Sequence, residues 1–430
     1  MHTYNVIIIG GGISGVVQLY WAKQRGLTAL LLEKNSGVGG IWKTLPAWQD
    51  VQMQAGEWTI NGLPISGVKQ KDILQNIECW VERYQLSEQI RTNCAVVGVT
   101  RQDKAWQIST SRGEVYSAEN LIVATGLHNE PFLPSIPRTK PTLLEQHTSQ
   151  LNDPATLTGK RVAILGGGAS AFDAIDLAFT HGAKETHWIF RSTRWMIPST
   201  KPKDYRPDLR LLARNQLLER DWRKLFGLME KRIREKYRMH SLSEIEPKGA
   251  LDLETTQIVP GRPLVTTRFK DIVRHPGEVE KIEGNSITVS GQSFDADILI
   301  YATGYKLNLS FLNLPEFSRM SSSTELQERC GTYIRSLDYP NLFFVGPTLL
   351  DGNGATAFLM SAVGRTLMAH IQGKCEIPKT VCRKKPVHWG ILEILASFDR
   401  YNFWPVWWRL KYTLKAWYYA KYPEKPIYFP

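Results

Sequence analysis

Short apolar runs bounded by glycine recur along this chain. They include VIIIG ending at Gly10, LIVATG ending at Gly126, RVAILG ending at Gly166, ILIYATG ending at Gly304 and LFFVG ending at Gly346. Aliphatic runs of this length without polar alternation read as strands covered on both faces, the pattern of a parallel sheet. After VIIIG and after RVAILG the pattern changes to helical spacing. Strand followed by helix, twice, predicts an α/β chain.

The turns between those strands and helices carry the first chemical signal. IIIGGGISG places Gly10, Gly12 and Gly15 directly after the first run, and VAILGGGASA places Gly166, Gly168 and Ala171 after the later one. Between a strand and a helix, GxGxxG or GxGxxA is a dinucleotide-binding loop. Its first glycine permits the turn, its second admits a pyrophosphate, and its third position lets helix and strand pack closely. The helix N-terminus then faces the phosphates. Two such loops predict two Rossmann-like domains, with electrons passing between two bound dinucleotides.

The following strands distinguish the two sites. LTALLLEK ends at Glu33, an acid placed to accept hydrogen bonds from ribose hydroxyls, as in FAD or NAD sites. ETHWIFR ends in Ile189, Phe190 and Arg191, with Arg194 close behind. A guanidinium forks onto a 2′-phosphate that a carboxylate would repel. The second site is therefore expected to hold NADPH.

Composition adds limits. The chain has 430 residues, 43% hydrophobic and 22% charged, enough for two or three domains. It runs into a strand at about Tyr4 with no secretory pattern before it, and no stretch of about 18 apolar residues suggests a membrane span. Five scattered cysteines without a CxxC pair fit reduced thiols in a cytoplasmic protein and offer no metal spacing.

The net charge of +12 is concentrated in two segments: residues 209–239 carry ten Lys/Arg against four Asp/Glu, and residues 383–430 carry nine against three. No nucleic-acid module accompanies this charge. In the first segment Leu211, Leu218, Trp222, Leu225, Phe226, Met229 and Ile233 form one helical stripe. That stripe needs the protein's own body, a second copy or a membrane surface. The C-terminal segment holds 14 of the 45 aromatic residues, interleaved with lysine and arginine. Such a tail suits a bilayer interface, a homodimer contact or a wrap over the body. The cellular expectation is a cytoplasmic protein, with peripheral membrane attachment as the alternative to a free one.

A third signature follows the first loop: GVGGIW, with Gly37, Gly39, Gly40 and Trp42. Together with both glycine loops, Glu33 and the YATGY strand, it resembles the class B flavin-dependent monooxygenases. These include flavin-containing, Baeyer–Villiger and plant indole-3-pyruvate monooxygenases. The likeness covers roughly residues 1–375. It implies an FAD domain over 1–155 and 291–380, interrupted by an NADPH domain over 156–290 that carries a helical insertion at about 200–250. A C-terminal extension, 381–430, lies beyond it.

The resemblance also implies an activity: FAD- and NADPH-dependent insertion of one oxygen atom from O2 into a small organic substrate, through a C4a-(hydro)peroxyflavin. N- or S-oxygenation, Baeyer–Villiger oxidation and oxidative decarboxylation all fall within it. The alternative is an NADPH-dependent flavin reductase or dehydrogenase of the same fold. Cofactor contacts are expected from Gly10, Gly12, Ser14, Gly15, Glu33, Lys34, Gly39, Gly40, Trp42, Val96, Thr125, Gly126, Gly166, Gly168, Ser170, Ala171, Arg191, Arg194, Thr303, Gly304, Gly354 and Thr356. The catalytic candidates are His147, Gln54 and Asn61. The family's linker, FxGxxxHxxx(Y/F/W), is altered here: in PTLLEQHTSQL His147 keeps its place, while Pro141, Leu143 and Leu151 replace the other signature positions.

Overall fold

The computed structural model describes residues 3–50, 67, 69–128, 130–200, 222–251, 258–331, 334–346, 357–377 and 379. Gln54, Asn61, Gly354, Thr356 and the extension 381–430 lie outside the described residues, as do Leu211 and Leu218. The described residues form two compact units, the first from those up to 130 and from 306 to 379, the second from those between 131 and 305.

In the first unit, β1 (Thr3–Ile9) leads into α1 (Ile13–Gln24), β2 (Ala29–Leu32) and α2 (Gln70–Arg83). β3 (Val115–Val123) then pairs in parallel with β1. The returning strand Leu342–Phe344 flanks β3, so the parallel order is Leu342–Phe344, β3, β1, β2, Ile90–Arg91. The apolar run of β1 serves two cores because successive side chains point to opposite faces. Val6 and Ile8 join Val16, Leu19 and Ile73 on the helical face. Ile7 and Ile9 join Trp106, Ile108 and Leu312 on the other. Val6, Ile7 and Ile8 are fully buried, each contributing about 1.5–3 kcal/mol of transfer free energy. An antiparallel meander, Val96–Gln102 with Ala105–Thr110 and β3, supplies that second face. On the helical face α1 packs against the helix Ala357–Ile371 at Gly364, where a β-carbon would stand 2.7 Å from the Trp21 ring.

The second unit repeats the plan. β4 (Leu144–His147) precedes β5 (Arg161–Leu165), α3 (Ala169–Thr180) and β6 (Glu185–Phe190). Next come α4 (Trp222–Met239), β7 (Ile272–Pro276) and β8 (Ile298–Tyr301). The parallel order is β7, β6, β5, β8, β4. A second meander, Val279–Glu283, Ser286–Val289 and Gln292–Asp295, packs on one face through Ile282, Ile287 and Val289.

The compact units divide at 130/131 and 305/306. β4 and β8 are ladder neighbours in the second sheet, so the linker with His147 and the whole ILIY strand belong to that unit. The basic helix is described from Trp222 onward, and its described face turns inward. Ile233 is 3% exposed and Tyr237 is fully buried, and the Tyr237 hydroxyl accepts a hydrogen bond from the Met196 amide at 3.0 Å. Burial pushes the Tyr237 phenol well above its usual pKa. Arg234 pairs with Glu230 at 2.8 Å and lies over Trp195, 4.7 Å from the ring centre. Among the described residues this helix is packed on its own unit, and no described helix is long and apolar enough to cross a membrane.

Candidate dinucleotide-binding sites

Both glycine loops turn in the same way. At Gly10 the backbone takes φ +107°, and a β-carbon there would stand 2.6 Å from the Ala124 carbonyl oxygen. At Gly166, with φ +144°, a β-carbon would overlap the Ala302 carbonyl oxygen. Ala124 and Ala302 each open an ATG triplet, and each triplet ends the strand beside the one that enters the loop. The backbone closes the pattern in both units. Gly10 N–H donates to Leu32 and Ala124 N–H to Ile9; Gly166 N–H donates to Ile189 and Ala302 N–H to Leu165, at 2.8–2.9 Å. The two ATG strands are thus the wall of each loop.

The first loop is completed by other glycine segments. A β-carbon on Gly15 would overlap the Gly10 carbonyl, which is why helix and strand approach so closely there. Gly39 N–H donates to the Gly11 carbonyl at 2.8 Å, so the GVGG turn docks on the loop. A β-carbon on Gly40 would stand 2.8 Å from the Gly12 Cα. Gly346 closes in from the returning strand, where a β-carbon would meet Ser14 Oγ at 2.9 Å. The Ser14 hydroxyl otherwise donates to Met360 Sδ at 3.3 Å.

Glu33 is 3% exposed, and its carboxylate braces the loop. Oε2 accepts the Gly11 N–H at 2.5 Å, and Oε1 accepts the Asn35 N–H at 2.8 Å. Each carboxylate oxygen retains a lone pair for a further donor such as a ribose hydroxyl.

Two observations test whether a dinucleotide fits. Gly12 and Gly168 cap α1 and α3, and neither helix receives a side-chain hydrogen bond at its start. The first-turn amides therefore present a positive dipole end suited to a pyrophosphate. Beside the first loop, the Thr125 hydroxyl is buried without a protein partner, a polar atom of the kind a bound group satisfies. The residues fit the cofactor class.

Other expected contacts are arranged unevenly. Trp42 lies in the 3-10 turn Gly40–Lys43 and packs on the helical-face core of its unit. Lys34 is exposed, and Gly126, with φ +75°, follows Thr125. Val96 starts the meander and packs, partly buried, against the opposite core. Ser170 and Ala171 lie in the first turn of α3, with Ala171 fully buried.

At the second site Arg194 N–H donates to the Gly167 carbonyl at 2.8 Å. Its side chain runs beside the loop, with Cδ 4.0 Å from where a Gly168 β-carbon would be. Arg191 instead pairs with Glu278 at 3.2 Å on the surface. The sequence pattern did not point to Glu278, because it comes from the loop after a neighbouring strand.

His147 and the second ATG triplet serve the linker. His147 is 1% exposed. Its Nδ1 accepts the Ser149 N–H at 3.2 Å, which leaves Nε2–H to donate to the Gly304 carbonyl at 3.0 Å. Burial pushes its pKa below the usual histidine value, against the smaller opposing effect of the Gly304 bond, so the ring is neutral. Its edge faces Tyr305. The Thr303 hydroxyl donates to the Phe132 carbonyl, and Gly304 accepts from the Phe132 amide at 2.9 Å. His147, Thr303 and Gly304 are brought together as a brace for the strand exit.

The comparisons agree with this layout. The family model described as pyridine nucleotide-disulphide oxidoreductase matches residues 7–221. Flavin-containing monooxygenase 5 of Rattus norvegicus is 23% identical over 416 residues, covering 87% of this chain and 74% of the relative. The flavin-containing monooxygenase of Stenotrophomonas maltophilia superposes with a TM-score of 0.64 at 20% identity, covering 87% of this chain and all of that one. The structure of OTEMO in complex with FAD and NADP gives a TM-score of 0.68 at 17% identity, covering 86% of each chain. The five cysteines include no CxxC pair to relay electrons to a disulphide. With both glycine loops inside the matched residues, this chain belongs to the pyridine nucleotide-disulphide oxidoreductase family, with the fold of the flavin monooxygenases.

Proposed function

We propose that this protein is an FAD- and NADPH-dependent monooxygenase that places one oxygen atom from O2 into a small organic substrate. The observation that carries the reading is the duplicated loop, identical in its glycine-on-alanine packing but flanked by Glu33 in one copy and by Arg191 and Arg194 in the other. When bound, FAD would supply oxygen activation and NADPH the reducing hydride.

The chain's own residues do the holding. The amides at the start of α1 and the buried Thr125 hydroxyl receive FAD, while Glu33 fixes the loop and keeps lone pairs for the ribose. The amides at the start of α3, with Arg194 beside them, would hold the pyrophosphate of NADPH, and Arg191, exposed at the end of β6, would take the 2′-phosphate. His147, neutral and buried, holds the Gly304 carbonyl and so the exit of β8.

The balance of reducing equivalents tests this reading. NADPH consumption should be matched by oxygenated product when amines, sulfides, ketones and 2-oxo acids are screened. Complete return of the electrons as hydrogen peroxide with every substrate class would instead support a flavin reductase of the same fold, the outcome to which the altered linker around His147 would lead.

A further inference from the structure

β6 ends without the acid that recognises a ribose diol, and the structure brings one in from the side. β7 ends at Pro276, and the next residue, Gly277, donates its N–H to the Phe190 carbonyl at 2.9 Å. The Ser290 hydroxyl clamps the same turn by donating to the Pro276 carbonyl at 3.1 Å. Glu278 is thereby set beside Arg191, and Arg191 Nη1 lies 3.2 Å from Glu278 Oε1. The side chains are 77% and 72% exposed, so water screens the pair and it opens readily.

We propose that Glu278 is a specificity-determining residue of the second dinucleotide site, where its carboxylate restrains the preference for NADPH and lets NADH bind. The proposal rests on the assignment of that site to NADPH. A guanidinium has five donors and serves a phosphate and a carboxylate together. A 2′-phosphate entering beside Arg191 meets the negative charge of Glu278, which opposes it. The 2′-hydroxyl of NADH meets an acceptor, the part an acid plays at this position in dinucleotide folds. Arg191 and Glu278 therefore pull the selectivity in opposite directions.

Calorimetric binding of 2′,5′-ADP and of 5′-ADP separates these effects without turnover, using the full-length protein, Glu278→Gln and Arg191→Ala. Wild type should hold 2′,5′-ADP more tightly than 5′-ADP. Glu278→Gln should tighten 2′,5′-ADP roughly fivefold and weaken 5′-ADP, and Arg191→Ala should abolish the preference. If wild type holds the two nucleotides alike, the NADPH assignment fails and this proposal fails with it. If wild type prefers 2′,5′-ADP but Glu278→Gln leaves the ratio unchanged, the proposal alone is overturned.

Discussion

Gly10 rests on the carbonyl of Ala124, so close that a β-carbon at Gly10 would stand 2.6 Å from that oxygen. Because φ is +107°, an L side chain there is strained even before the clash. Gly10→Ala should abolish FAD retention and destabilise the first unit by at least about 2 kcal/mol. Gly166→Ala should purify with FAD bound yet fail to bind NADPH. Flavin absorbance of the purified variants and nucleotide titration distinguish the two outcomes.

The two arginines should lose different things. Arg191→Ala should weaken NADPH by about tenfold or more, the worth of a charge-assisted pair, and leave NADH nearly unchanged. Arg194 lies beside Gly168 at the pyrophosphate end, so Arg194→Ala should weaken both nucleotides together. Equal losses for both nucleotides in Arg191→Ala would remove the 2′-phosphate assignment. Inhibition by 2′,5′-ADP and 5′-ADP measures each.

Acid stability should depend on a histidine pair outside either loop. His187 Nδ1 lies 3.0 Å from His275 Nε2, and both rings stack on Phe294. Burial, and secondarily the neighbouring His187, pushes His275 down from 6.5 to about 4. His187 is lowered too, by burial first, with Glu185 opposing that shift and Arg161 adding to it. The unfolded chain binds the proton first as pH falls, so the stability present above about pH 6.5 is lost progressively on the way to about pH 4. His275→Phe keeps the stacking and should flatten the melting temperature over that range; an unchanged pH dependence would exclude the pair as its source.

His147 acts as a brace. Its removal leaves the Gly304 carbonyl without its imidazole partner, and His147→Ala should cost about 1–3 kcal/mol. A neutral, buried ring also predicts that the pH profile of kcat keeps its limbs in His147→Gln. A lost limb would assign His147 a proton-transfer role.

The parts legible in the sequence were those written within one strand–turn–helix unit. The apolar runs announced β1, β5 and β8, and the glycine spacing announced both loops, because local packing demands small residues there. What the sequence concealed depends on sheet order. Nothing near Gly10 names Ala124, and nothing near Gly166 names Ala302, since a parallel neighbour arrives after a long crossover. The same cause hid Glu278. Arg191 was found by its position, while its ion pair with Glu278 belongs to the next strand's loop.

Isotope transfer from molecular oxygen tests the monooxygenase assignment most directly. The FAD-loaded protein, NADPH and a panel of amines, sulfides, ketones and 2-oxo acids would be incubated under 18O2, with 18O-water as the control. Monooxygenation predicts one 18O atom in the product under 18O2, detected by mass spectrometry and absent without NADPH. Rapid NADPH oxidation with all label recovered as hydrogen peroxide and none in any product would contradict it.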